Sequence, residues 1–281
     1  VRVNASIRRA ALLGATALAL ASAGPEHASA ALPFKRDASW VWYVSESGGT
    51  GSAIGREAKR RGLSSVYIKS ADGGDLWGQF TRQLVDQIHR RGVSVCGWQY
   101  VYGEDPKREA RAGARAAEAG ADCLIIDAEA EYEGRYRAAD TYVRALRRRV
   151  GDRFPLALAS FPYTDFHPAF PYSVFLGPGG ADYNLPQLYW YSIGDAVPRS
   201  LAHTYAWNRP YGRTIYPVGQ TYEDPPSRQL RDFRRYAREF GAGGVSWWSW
   251  QETSKHEWRA ITDRVRRDVP GFEAPRAFAD L

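Results

Sequence analysis

The stretch Asp122-Cys123-Leu124-Ile125-Ile126-Asp127-Ala128-Glu129-Ala130-Glu131-Tyr132 decides how the chain is read. An apolar run from Cys123 to Ile126 breaks into three acids at every second position. Strand side chains alternate faces with period two, so Asp127, Glu129 and Glu131 share a face as far as the strand runs. Asp127 and Glu129 are then spaced about 6.6 Å along the backbone. Acids crowded in this way repel one another and raise at least one pKa. A proton held near neutral pH is what a general acid needs. The same pattern fits a solvated loop after a strand, so the flanking chain has to decide.

That flanking chain alternates strand and helix. Aromatic and β-branched runs predict strands at Trp40–Ser45, Ser65–Lys69, Val93–Gln99, Cys123–Glu129, Pro155–Phe161, Tyr183–Tyr191, Thr214–Gly219 and Val245–Trp250. Helical spacing predicts helices at Ile54–Arg61, Trp77–Arg91, Asp105–Ala119, Arg135–Val150, Ser227–Phe240 and Lys255–Val269, with a weaker one at Ala196–Trp207. Gly62, Gly92 and Gly120 stand where three of these helices stop. Asp72-Gly73-Gly74 reads as a turn, and Pro162 to Gly180 as a long loop of the kind that is functional or mobile. Eight strands, each followed by a helix or helix-like linker, imply parallel βαβ units in a closed (β/α)8 TIM barrel, one α/β domain. The rival is an open doubly wound sheet, but Gly48-Gly49-Thr50-Gly51 after the first strand is the wrong pattern for a dinucleotide loop.

In such barrels the site lies at the C-terminal strand ends. Here those ends gather the three acids with Lys69, Gln99, Gln187, Tyr189, Trp190, Gln220, Trp248 and Trp250. Rings stack on the C–H faces of a sugar, while amides, hydroxyls and an ammonium bind its hydroxyls. Lys69, Gln99, Gln187, Tyr189 and Gln220 are the expected hydroxyl binders, and Trp190, Trp248 and Trp250 the expected platforms. Large core fillers account for many rings in a chain with 14% aromatic residues. They account poorly for the glutamines, since buried amides need partners. The five histidines are scattered without metal-ligand spacing, and no Gly-x-Ser-x-Gly elbow is present. No metal or organic cofactor is implied. Two cysteines, Cys96 and Cys123, make no disulfide framework and read as buried thiols in strands.

Composition bounds the setting. The chain has 281 residues, 25% of them charged, with a formal net charge of +7. The Arg-rich runs Arg147-Arg148-Arg149 and Arg231 to Arg238 fall on predicted helices as solvated faces, and no nucleic-acid motif is seen. Residues 1–30 read as a secretory signal, with Arg2, Arg8 and Arg9 before an Ala/Leu run and Ala28-Ser29-Ala30 as the cleavage site. That run is too short for an ordinary membrane span, and no other stretch could cross a bilayer. The expected organisation is signal 1–30, linker 31–38, barrel 39–269 and tail 270–281, exported to the cell envelope or beyond.

The strand ends resemble those of sugar-cleaving barrels. Tyr67-Ile68-Lys69-Ser70-Ala71-Asp72-Gly73 resembles the Ile-Lys-Ala-x-Glu-Gly stretch of the family-25 glycoside hydrolases, the muramidases. Cys96-Gly97-Trp98-Gln99-Tyr100 resembles their Gly-x-Tyr-His-Phe, and Asp127-Ala128-Glu129 their Asp-x-Glu. Gln187-Leu188-Tyr189 resembles the Gln-x-Tyr of family 18, the chitinase-like barrels, and Gly243 to Trp250 their Gly-Gly-x-x-x-Trp-Ser strand. The resemblance implies a glycoside hydrolase acting on polysaccharide or peptidoglycan, with Glu129 as general acid. Asp127 would sustain its pKa or polarise an N-acetyl group, and Glu131 would be the second carboxylate. Laying the family-18 Asp-x-Asp-x-Glu on Asp127, Glu129 and Glu131 moves the acid to Glu131. The first strand carries no Asp (only Asp37 or Glu46 is near), and the last strand lacks the acid expected of muramidases. Those departures fit the alternative, a non-catalytic glycan-binding barrel. Convergence of Glu46, Glu129 and Glu131 in one cleft separates the two.

Overall fold

The computed structural model describes residues 33–263. The expected signal segment, the expected tail and the end of the last expected helix lie outside the described residues. The chain builds β1 (Ala38–Val41), α1 (Gly51–Arg60), β2 (Ser65–Asp72), β3 (Asp75–Leu76), α2 (Arg82–His89) and β4 (Ser94–Val101). It continues with α3 (Pro106–Glu118), β5 (Cys123–Ala128), α4 (Tyr136–Val150), β6 (Leu156–Ser160), α5 (Tyr172–Phe175) and β7 (Tyr183–Pro186). Then follow α6 (Trp190–Ile193), α7 (Val197–Asn208), β8 (Thr214–Ile215), β9 (Val218–Gln220), α8 (Ser227–Glu239), β10 (Ser246–Trp248) and α9 (Lys255–Thr262).

The strands run parallel in the order β8-β7-β6-β5-β4-β2-β1-β10-β9. β8 and β9 are two halves of the expected seventh strand. Between them lies Pro217, which has no N–H to give a ladder. β7 and the residue after it reach both halves: Tyr183 of β7 pairs with Thr214, and Gln187, just past β7, bridges to Val218. The ring therefore closes into a (β/α)8 barrel. Only β3 is extra; it turns back on β2 at Gly73-Gly74, where Gly73 takes φ +51°.

Local chemistry places the helices. Thr50, Thr81, Asp105 and Ser254 each accept a backbone N–H at a helix start, and Ser254 and Glu257 form a full capping box. The helices pack apolar faces on the outside of the ring. Inside, period-two side chains fill the bore in layers. Phe34, Tyr67, Tyr183 and Tyr216 close the bottom, Cys96 and Cys123 sit above them, and Trp40 and Trp98 form the upper layer.

Three expectations change here. Residues 33–38 are not a free linker: Phe34 is 1% exposed and plugs the barrel floor, and Pro33 O accepts from Ser65 Oγ at 2.6 Å. Cys96 and Cys123 are not free thiols but one disulfide. They are register partners on adjacent strands with Cα atoms 4.6 Å apart, facing the same bore. The expected sixth strand stops at Pro186 rather than Tyr191, because Leu188 N turns back to Pro186 O and Tyr189 N to Gln187 O.

Candidate active site

At the C-terminal end of the barrel a cavity of about 440 Å³ opens over the upper layer of rings. Strand parity decides what reaches it. On β5, Cys123 and Ile125 point into the bore, so Asp127 does too. On β4, Cys96 and Trp98 point in, so Tyr100 follows; on β2, Tyr67 is followed by Lys69. β1 sends Trp40 and then Trp42, and β10 sends Trp248. β5 ends at Ala128, yet Glu129 and Glu131 still line the same cavity.

Gln187 ties the acids together. Its Nε2 donates to Asp127 Oδ1 at 2.7 Å and to Glu129 Oε1 at 3.0 Å. Glu131 is held separately, accepting from Tyr100 Oη at 2.7 Å. Burial pushes the Asp127 carboxyl well above its usual range, and the neighbouring Glu129 charge pushes it further. Lys69 and the Gln187 amide oppose this without cancelling it. Burial also raises Glu129, as does the charge on Glu131. Both carboxyls are thus pushed above their usual range, burial being the first cause for each, which favours one proton held by the pair. The pair titrates together.

Among the described residues, Lys69 is the one cation lining this cavity. Its side chain is 3% exposed, bonds Asp72 Oδ2 at 2.5 Å, and lies 4.6–4.9 Å from the rings of Trp42, Trp77 and Trp98. Tyr102 Oη donates to the other Asp72 oxygen at 2.7 Å, and this bond pushes the phenol up to about 12. Lys69 is thus paired with Asp72, not with Glu129.

Of the expected binding residues, Lys69, Gln187, Tyr189 and Trp248 line the cavity, and four do not. Gln99 is the outward neighbour of Trp98. It donates to Gly73 O and Glu109 O and accepts from Tyr142 Oη, all at 2.7–2.8 Å, locking α3 and α4 to the sheet. Trp190 stacks on Phe233 at 4.7 Å, because the end of β7 at Pro186 lets α6 turn the ring to the outside. Trp250 packs against Trp258 at 5.1 Å. Gln220 is fully buried and accepts from Tyr191 N and Ser192 N, holding the turn that follows β7. Glu46 is exposed in a short 3-10 turn, and Asp37 is buried against Arg234 at 3.1 Å, at the opposite end of the bore. Neither supplies a strand-1 acid to the cleft. Asp72, Trp98 and Tyr100 stand at strand ends in the sequence but carry no expected binding role there, and sequence reasoning missed Trp40, Trp42 and Tyr102; strand parity counted from Lys69 and Asp127 identifies Trp98 and Tyr100.

A second cavity of about 420 Å³ adjoins the first and shares Glu129, Gln187 and Tyr189 with it. Its other walls come from the segment after β6 and the turn after β7.

Known proteins match this fold. No family model and no curated protein sequence matches the chain. Among solved structures, a class V chitinase from Nicotiana tobaccum superposes with a TM-score of 0.61 at 9% identity, covering 80% of this chain and 98% of that one. A chitinase from Chromobacterium violaceum gives 0.53 at 12%, covering 80% and 97%. The Bacillus cereus spore cortex-lytic enzyme SleL gives 0.59 at 12%, covering 80% and 73%. The chain has the barrel fold of chitinases. At these identities the likeness is one of fold, and the chemistry rests on the residues described above.

The raised Asp127 has a consequence for stability. A carboxyl whose folded pKa exceeds its unfolded value of 3.8 binds its proton more tightly when folded. Its contribution is full at pH below that unfolded value and is lost as pH rises through the folded pKa. Asp127→Asn, which cannot ionise, is therefore expected to melt several degrees above wild type at pH 7 and level with it near pH 3.5. Melting curves across that range check this; a gap independent of pH contradicts it.

Proposed function

We propose that the chain is a glycoside hydrolase that cleaves glycosidic bonds of a cell-wall or extracellular polysaccharide by carboxylic acid catalysis. One observation carries this reading: an Asp127–Glu129 pair, bridged by the Gln187 amide, at the C-terminal mouth of an aromatic-walled barrel. The solved barrels that share the fold include chitinases and a spore cortex-lytic enzyme, which supports a glycan substrate.

The geometry supports a division of labour. Asp127 and Glu129 bond a single nitrogen, so they act on one face of the substrate as a unit. Substrate entry displaces water, the shared proton moves to Glu129, and Glu129 delivers it to the glycosidic oxygen. Asp127 keeps the charge that results, or polarises an N-acetyl group, close to Lys69 and Gln187. Glu131, facing solvent and oriented by Tyr100, is the second carboxylate. Trp42 and Trp248, partly buried at the cavity wall, provide ring faces for the sugar.

Release of reducing ends from purified peptidoglycan and chitin oligosaccharides tests the reading. Glu129→Gln is expected to lower the rate by about 10²–10⁴ while glycan retention persists, the size of a lost general acid. Glu131→Gln is expected to cost less. Equal or greater loss in Glu131→Gln, with Glu129→Gln active, transfers the acid to Glu131. No release by wild type, together with retention on one glycan, establishes a non-catalytic binding barrel instead.

We further propose that the chain is exported and cut after Ala30. Residues 1–30 have the signal composition described above, and a Cys96–Cys123 disulfide suits an oxidising compartment. Expressed from the full chain in a bacterial host, the protein is expected in the medium or envelope with Ala31 as its N-terminus. Uncut protein held in the cytosol contradicts this.

A further inference from the structure

We propose that the second cavity is a binding site for an apolar leaving group, so that the preferred substrate carries an aromatic or otherwise hydrophobic aglycone next to the scissile bond. This rests on the hydrolase reading of the first cavity and deepens it. The two cavities are similar in size, about 440 and 420 Å³, and meet at Glu129, Gln187 and Tyr189. Glu129 therefore stands where the bond between glycone and leaving group would cross from one to the other.

Their walls differ in kind. The first sets carboxylates, Lys69 and tyrosine hydroxyls, groups that bind sugar hydroxyls, among four indoles. The second is walled by Phe161, Pro162, Tyr163, Phe166, Ile193 and Tyr222. Several of the polar groups it contains are already engaged. His167 Nδ1 is bonded to Glu133 at 2.8 Å, and its ring stacks on Phe161 at 3.5 Å. Ser192 Oγ donates to Glu223 Oε2 at 2.7 Å and accepts from Gln220 Nε2 at 3.1 Å. Gln187 Nε2 is taken by the two acids. A hydroxyl-rich sugar laid on these apolar walls would lose water and gain no hydrogen bond from them, whereas an apolar group gains by burial.

The walls are also set in advance. Asp165 accepts from His203 at 2.8 Å, Thr164 Oγ1 donates to Trp207 O at 3.0 Å, and Tyr163 and Phe166 meet edge to face at 5.5 Å. Gln220 fixes the opposite wall through Tyr191 N and Ser192 N. Yet Phe166 is 67% exposed and Ile193 44% exposed, at the rim of a cavity whose backbone is held in place. Large apolar side chains kept in water beside a catalytic acid are what a hydrophobic ligand would cover.

In the reaction the C–O bond breaks, and the leaving alcohol takes the Glu129 proton into the second cavity. Water then gives its hydroxyl to the sugar and its remaining proton back to the carboxyl pair.

Two measurements test the proposal. The first needs no glycone: 2-phenylethanol is titrated into ¹⁵N-labelled protein. Amide shifts are expected at residues 163–167, 190–193 and 222, and are expected to vanish in the Phe166→Ala/Ile193→Asp double variant. Absence of shifts at these positions in wild type, or shifts that persist in the variant, overturns the proposal, whatever the enzyme does. The second compares 2-phenylethyl with methyl glycosides of N,N′-diacetylchitobiose, whose leaving alcohols are similar in acidity. Wild type is expected to favour the phenylethyl glycoside at least tenfold in kcat/KM, and the double variant less than threefold. Equal rates in wild type overturn the proposal while leaving the hydrolase reading intact. Hydrolysis of neither glycoside overturns the leaving-group assignment, and only together with no reducing-end release from peptidoglycan or chitin does it remove the hydrolase reading as well.

Discussion

One nitrogen atom, Nε2 of Gln187, holds two carboxyls that burial has separated from water. Two charges cannot both be kept there, because each loses hydration and each repels the other. Retaining one proton between them is the cheapest solution, and it is also the state a general acid requires. Most of the surrounding barrel can be read as support for that pair. Gln187 is delivered by the turn that ends β7, and that turn is pinned in turn by Gln220. Lys69 tempers the field from across the bore, itself restrained by Asp72 and by three indole faces.

The floor of the barrel does the opposite work. Phe34 caps the bore with Tyr67, Tyr183 and Tyr216, and the Cys96–Cys123 disulfide joins the two strands that carry Trp98 and Asp127. Removing Phe34 would open a void in a layer with nothing to replace it. Rigidity below and charge above divide the molecule along the strand axis, as expected where stability and chemistry occupy opposite ends of a (β/α)8 barrel. The two adjoining cavities add a second division at the upper face, with carboxylates and Lys69 among indoles on one side of Glu129 and a mainly apolar wall on the other.

The fold was legible because strand and helix periods alternate with few interruptions from Trp40 onward. The acid cluster was legible because Asp127, Glu129 and Glu131 keep period two past the apolar run. Other residues escaped for physical reasons. Gln99 and Trp98 are neighbours, so composition alone could not say which faced the bore; parity counted from Asp127 could. Trp190 follows a turn at Pro186 that ends the strand early, and no strand rule carries across such a break. Phe34 lies in a Pro-containing stretch that reads as a linker until a barrel floor is available to receive it. Cys96 and Cys123 pair only because the barrel register sets them side by side, and spacing in sequence does not reveal that.

The central claim is that Asp127 and Glu129 share one proton. A pH titration of ¹³C-carboxyl-labelled protein by NMR, with Asp127→Asn and Glu129→Gln to assign the signals, tests it directly. The account predicts that the two carboxyls titrate as a coupled pair, with one proton retained well above the ordinary carboxyl range and each substitution altering the titration of its neighbour. Two independent titrations near pH 4, unaffected by either substitution, would contradict it.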